Sequence, residues 1–428
     1  MKKLFISYIL VLAVCSFAVG QQVAKSENST FALTNATIET VTNGVINGTL
    51  LIQNGKITGL GSNVTIPSGA KTIDCSGMTI YPGMIDGGTT LGLSEVGSIS
   101  LTQDYDEIGD FTPHADALTA VNPNSVLIPV TRVNGVTTVL TVPKSGLFPG
   151  TASLINLHGY TPKQMYAGFR GIVMNFPSTG RRGRRDRRSD DDIKKQSEKA
   201  LKKLNETWER CTQYASLKAN QSDMHKYNPE MDAMIPVVKG EAPIMIEVNA
   251  KDDILSALKW VEEKNVNAIF TGVAEGWRVA DSIAAANIPV ITGPVLSTPR
   301  RSSDRYDSAY KNAGLMHQAG VKVAIRTNET ENVRNLPFNA GFAAAYGMGK
   351  EEALKAVTIV PAEIFGVDDQ LGSLEVGKVA NVIVADGDPF ETKTQFQHIF
   401  INGWKVPLES RHTLLYDEFL ERSPGLRK

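Results

Sequence analysis

The sequence predicts an α/β protein: a (β/α)8, TIM-type barrel plus a small β-sandwich built from both chain ends. Two patterns carry this expectation. From Pro82 to about Val367, apolar β-rich runs alternate with helical patterns, which implies strands pairing in parallel with helices between them. The short-strand, tight-turn texture of residues 31–80 then returns at 371–406. Two half-sheets at opposite ends of one chain must meet in space. Periodicity alone leaves an open doubly wound sheet as the rival to the barrel.

The chain opens with Lys2 and Lys3, an apolar run from Leu4 to Val14, and Ala18-Val19-Gly20 before Gln21. This is the pattern of a secretory signal, so residues 1–20 are expected to be removed and the protein exported to a periplasmic or extracellular compartment. The apolar run is short for a bilayer span, and no other run is long enough, so no membrane insertion is expected once the signal is gone. The whole chain has 428 residues, 42% hydrophobic and 21% charged, which is ordinary for a globular protein. Its 44 basic and 45 acidic residues leave a net charge of −1. No global field favours nucleic acid or an anionic surface. Beyond the signal only Cys75 and Cys211 remain, too few for a disulfide framework, and whether they pair stays open.

Residues 21–81 read as the first half of the sandwich, with Asn54-Gly55 between two alternating runs as a hairpin signal. Residues 82–367 read as the barrel. Pro82 and Gly83 break the chain, Met84-Ile85-Asp86 restarts it as a buried strand, and further strands are expected at 135–142, 171–174, 243–248, 268–272, 289–293 and 321–326. Asp252 to Lys264 has helical spacing behind an acidic start. A charged insertion, 176–229, interrupts the barrel. It holds six arginines between Arg181 and Arg188, read as a solvated loop because no aromatic residues interleave for base stacking, and then a helix beginning at Ser189 that is expected to cover one side of the barrel mouth. Residues 368–428 supply the second half of the sandwich and a tail.

Several phrases together give these elements a family likeness. Tyr81-Pro-Gly-Met-Ile-Asp, Asn134-Gly-Val-Thr-Thr-Val, the glycine-rich connection Phe148-Pro-Gly-Thr-Ala-Ser-Leu-Ile-Asn-Leu-His-Gly, the late helix Ala353-Leu-Lys-Ala-Val-Thr-Ile-Val-Pro-Ala-Glu-Ile-Phe-Gly, and Leu371-Gly-Ser-Leu-Glu-Val-Gly-Lys-Val-Ala-Asn-Val-Ile-Val resemble the imidazolonepropionase-like branch of the amidohydrolase superfamily. The resemblance spans about Phe31 to Val406. It implies the barrel-plus-sandwich fold and hydrolysis of non-peptide C–N bonds in small or cyclic amides, with zinc or another divalent metal as cofactor.

The metal positions of that family are substituted here. Its first strand reads Pro-Gly-aliphatic-Ile-Asp-x-His-x-His, and Gly88 and Thr90 stand at the two histidines. Glu247 falls at the fifth-strand histidine, with Asn249 as the shifted alternative; Gly272 takes the sixth-strand histidine and Asn328 the last-strand aspartate. Glycines cannot ligate, and threonine and asparagine are weak neutral ligands, so no metal is expected. His114, His158, His225, His317, His398 and His412 offer no pair at ligand spacing.

Polar residues remain at the expected strand ends: Asp86, Thr89, Asn175, Glu275, Arg326 and Glu329, with His158 in the glycine-rich connection near the mouth. Two functional readings stay open. In one, Arg326 balances Glu247 where a metal stood, and the protein is a degenerate barrel that keeps a small-molecule pocket or acts as companion to a metal-complete homologue, as a homo- or hetero-oligomer. In the other, it is a hydrolase with a metal-free or non-standard site, Glu247 or Glu329 as base and Arg326 as an electrophilic clamp.

Overall fold

The computed structural model describes residues 25–180, 187–220, 227–299, 301 and 303–422. The signal-like stretch, His225 and most of the arginine run (181–186) lie outside the described residues. The first described strands are β1 (Phe31–Glu39), β2 (Val45–Gln53), β3 (Lys56–Gly61), β4 (Lys71–Asp74) and β5 (Thr79–Pro82). β1 pairs antiparallel with β2 and, on its other edge, in parallel with β4 and then β5. A bulge between Leu33 and Ala36, with Asn35 at φ 58°, shifts the alternation by one. Phe31 and Leu33 before it and Ala36 and Ile38 after it therefore enter the same core. Asn54 and Gly55 take φ of 52° and 80°, the left-handed pair that a two-residue turn between β2 and β3 requires.

Gly83 joins this sheet to the barrel. A Cβ there would lie 2.2 Å from the Thr137 hydroxyl, so only glycine lets the chain pass. The barrel strands are β6 (Met84–Thr89), β7 (Val136–Thr141), β8 (Gly150–Asn156), β9 (Tyr166–Asn175), β10 (Ile244–Val248), β11 (Ala268–Gly272), β12 (Val290–Thr292) and β13 (Val323–Ile325), hydrogen-bonded in that order. Neighbours run parallel except at β8, which is antiparallel to both β7 and β9. The stretch expected as a glycine-rich connection is thus largely this reversed strand. The link from Val142 to Pro149 is shorter than the dozen or so residues that a parallel crossover needs, so the chain turns back instead. Between β13 and β6, residues Ala356 and Val357 complete the ring, accepting from Ile325 N–H (3.0 Å) and Ile85 N–H (2.7 Å).

Alternate residues of the strands fill the barrel: Ile85, Leu140, Val173, Met245, Ile269, Ile291 and Ala324 form one cluster, joined by Phe365, Val367 and Leu371 at the end next to the sheet. The helix Asp190–Ala219 is capped by Ser189, whose hydroxyl accepts from Asp192 N–H, with three aspartates in its first turn. It packs in the outer helical layer between β9 and β10, and its Lys203 pairs with Asp110 in the loop after β6. Its Leu204, Trp208 and Cys211 enter the main core, and Trp208 meets Trp260 of helix Lys251–Lys264 edge-on at 5.1 Å. That apolar face is what holds it against the barrel.

The chain ends do meet. β14 (Val382–Ala385) pairs antiparallel with β5, Val382 opposite Pro82 and Ile383 opposite Tyr81, and β15 (Phe396–Ile401) and β16 (Trp404–Val406) extend the same sheet. Cys75 is buried in the sheet's core and Cys211 beside Met231 in the helical layer; both are free thiols. Among the described residues no helix is long and apolar enough to cross a membrane.

Candidate functional site

Continuing the inward alternation past the buried cluster gives the lining of the open end. Two residues beyond Val173, Met245, Ile269 and Ala324 stand Asn175, Glu247, Thr271 and Arg326. At the centre, Arg326 Nη2 lies 2.8 Å from each Glu247 carboxylate oxygen. The Thr271 hydroxyl donates to Glu247 Oε2 at 2.7 Å and the Asn249 amide to Oε1 at 3.0 Å. Burial pushes the Glu247 carboxyl up, but the charge and hydrogen bond of Arg326, with the Thr271 and Asn249 donors, outweigh it and hold the group below the usual glutamate range. The Arg326 side chain is 5% exposed and that of Glu247 28%. The carboxylate is the member of the pair that faces the open cleft.

Two clefts meet at this pair, and both are lined by Glu247, Arg326 and Asn328. One, about 260 Å³, runs along Asn249, Trp277, Ser297 and Asn312. The other, about 240 Å³, is walled by Val142, Val173, Met245 and Asn175 and carries Lys144. Sequence reasoning missed Lys144. It sits just past β7, and the rule that residues at barrel strand ends face the mouth would have found it had it been applied to every strand. Burial, then the neighbouring charge of Arg326, pulls the Lys144 ammonium below the ordinary lysine value, against the opposing pull of Glu247 and Glu329.

The substituted metal positions converge on the same place, and side chains already fill it. A Cβ on Gly88 would lie 3.0 Å from Arg326 Cδ, and one on Gly272 would lie 2.5 Å from both Glu247 Oε1 and Asn249 Oδ1. Gly272 also holds φ 82°. A side chain at 88 or 272 would therefore have to displace Arg326, or Glu247 and Asn249, from the positions they hold. Thr90 turns its hydroxyl to Thr330, and Asn328, at φ 54°, donates its N–H to Gly88 O at 3.0 Å. A guanidinium at the centre of the donor set is the wrong charge for a cation site, and among the described residues no group of three or more His, Cys, Asp or Glu is placed to hold an ion. These residues do not fit the divalent metal that the resemblance implies.

The other expected site residues scatter. Asp86 is 0% exposed and anchors the strand junction, accepting from Gly88 N–H (2.9 Å) and from Thr327 N–H (3.2 Å) and hydroxyl (2.5 Å). Burial raises its carboxyl to about 6, partly offset by those donors and Arg326. Glu275 is clamped by Arg301 at 2.6 and 2.7 Å and accepts from Lys251 N–H at 2.9 Å, which ties the cleft wall to the start of a helix. Glu329 is exposed, and it is its backbone carbonyl, accepting from Thr90 N–H at 3.3 Å, that ties it to the first strand. His158 was expected near the mouth and is not. Because β8 runs backwards, its C-terminal end faces the sheet, where the imidazole packs 5.4 Å from Trp404.

Comparison with known proteins agrees with this architecture. A profile of the Amidohydrolase family matches residues 260–406. The chain is similar to amidohydrolase tasK of Hapsidospora irregularis, 22% identical over 398 residues, 83% of this chain; it spans 39% of that relative's length. An 82-residue stretch, 18% of this chain, is 37% identical to 19% of the imidazolonepropionase of Syntrophobacter fumaroxidans. Among solved structures, an amidohydrolase from Thermotoga maritima MSB8 superposes with a TM-score of 0.76 at 25% identity, covering 88% of this chain and 99% of that one.

Proposed function

The chain belongs to the amidohydrolase superfamily, and from that premise we propose that it is a member whose metal centre has been replaced by the Glu247–Arg326 ion pair and whose mouth serves as a small-molecule pocket. The observation that carries this reading is the packing of Arg326 and Glu247 into the space that Gly88 and Gly272 leave open. Metal-dependent hydrolysis rests on lowering the pKa of bound water from about 16 toward roughly 7. Nothing at these positions supplies that service. Glu247, held ionised by a cation and two further donors, is a weak proton acceptor, and Glu329 is exposed with no side-chain hydrogen bond among the described residues to orient it as a base. The metal-free hydrolase built on Glu247, Arg326 and Glu329 gains no support from this geometry.

The reading extends to two further proposals. The charged and apolar run at residues 1–20 supports export. Retention of the whole fold without its ligands supports a role as companion to a metal-complete homologue or to a second copy of itself. The catalytic part is tested by incubating the purified protein, with and without added zinc or manganese, with a panel of cyclic amides and N-acyl amino acids. No turnover above background is expected under any condition. Metal-stimulated turnover that a Glu247→Gln substitution abolishes would overturn the reading.

A further inference from the structure

The 240 Å³ cleft holds an ammonium that no carboxylate of its walls bonds directly. Arg326 is matched by Glu247. Lys144 shares the cleft with this pair, and no ion pair or side-chain hydrogen bond is formed by its ammonium among the described residues. Within the lobe Lys144 and Arg326 share Glu247, and Glu329 acts on the ammonium from outside the lining without bonding to it, in a half-buried place where burial already works against the ammonium. Such a group is stabilised by an anion that enters the lobe with it.

The backbone around Lys144 is fixed before any ligand arrives. Its N–H donates to Tyr105 O at 2.7 Å, and Val142 N–H donates to Thr89 O at 2.8 Å. Asn175 holds the next turn, its amide donating to Gly146 O at 2.8 Å. Ser145 stands at φ 73°, an uncommon conformation for a residue other than glycine and one that a folded site keeps only when its surroundings enforce it. Gly146 follows at φ 71°, where a Cβ would lie 2.9 Å from Gly109 O. The chain is bent at some cost immediately after the lysine, which lines the cleft. Across the lobe, Val142, Val173 and Met245 offer apolar surface.

We propose that Lys144 is the anchor of a subsite for a small organic monocarboxylate, whose carboxylate sits against Lys144 beside Arg326 and whose apolar body lies against Val142, Val173 and Met245. A monoanion pairs with the one ammonium of the lobe, which bonds to no side chain among the described residues. A dianion such as inorganic phosphate would be repelled by Glu247 and would leave the apolar wall unused. The proposal rests on the pocket reading above and narrows it to a ligand class.

The test is isothermal titration of the full chain with butanoate and benzoate, with their amides butanamide and benzamide, and with inorganic phosphate, repeated on Lys144→Met after its melting curve shows an intact fold. The expected result is that carboxylates bind at least about tenfold tighter than their amides and that Lys144→Met removes this preference, as one charge-assisted hydrogen bond predicts. Equal binding of acid and amide, a preference that survives in Lys144→Met, or phosphate binding tighter than the carboxylates would overturn the carboxylate subsite while leaving a pocket. If no probe binds the folded wild-type protein, the pocket reading falls with it.

Discussion

Replacing Arg326 with methionine isolates the claim that an ion pair has taken over the metal site. The guanidinium is nearly sealed, donates to Glu247 Oε1 at 2.8 Å and lies 2.8 Å from Oε2. Methionine fills much of the same volume, so the loss is electrostatic. Removing one partner of a buried pair leaves the other charge uncompensated, typically at about 3–5 kcal/mol. Glu247 keeps its bonds from Thr271 and Asn249 and its side chain is 28% exposed, which places the expected loss at the lower end, about 2–4 kcal/mol. Urea unfolding at neutral pH, followed by circular dichroism, measures it as a fall in midpoint at constant slope. The double variant Arg326→Met, Glu247→Gln removes both charges and should recover at least about half of the loss, a coupling that independent sites do not show. A loss below about 1 kcal/mol for Arg326→Met, or a double variant as unstable as the sum of the two singles, would refute the compensation argument.

Other perturbations read other parts of the account. Gly272→Ala drives a methyl group toward Glu247 and Asn249 at a positive φ, and we expect it to destabilise by about 1–3 kcal/mol in the same urea assay; an unchanged midpoint would mean that the pair yields easily. His158 tests the sheet–barrel junction through pH. Burial, with Arg132 adding to it, depresses its imidazole to about 4, so the unfolded chain takes up a proton near pH 6.5 while the folded protein does not. This contribution to stability is complete above pH 6.5 and disappears as pH falls toward 4. Relative to His158→Gln, the wild-type protein should lose about 1–3 kcal/mol across that window, measured as the difference between the two proteins' melting curves; parallel pH profiles would contradict the burial argument.

The barrel-plus-sheet plan was legible because it rests on long, repeated signals: apolar strands at regular intervals, and matching half-sheets at the two ends whose edges, β5 and β14, had to pair. The reversal of β8 was not, because the run Thr151–Asn156 has the same apolar texture in either direction and only the shortness of the preceding link records the turn. That one reversal also displaced His158 from the mouth to the sheet. In the site, the pairing of Glu247 with Arg326 followed from charge and strand-end position alone. What no residue pattern announced was that the pair lies against Gly88 and Gly272, where a side chain would crowd it, because that closeness exists only in three dimensions. Glu329 is exposed at the rim, where its charge still reaches Lys144.

The most direct measurement is metal content by inductively coupled plasma mass spectrometry, on protein purified without chelator or affinity tag, incubated with zinc and manganese and then desalted. A protein whose metal site is filled by Arg326 and Glu247 should retain well under one ion per chain, and its melting temperature should not respond to either metal. Retention of about one ion or more per chain, with a melting temperature that rises on metal addition, would contradict the account at its centre.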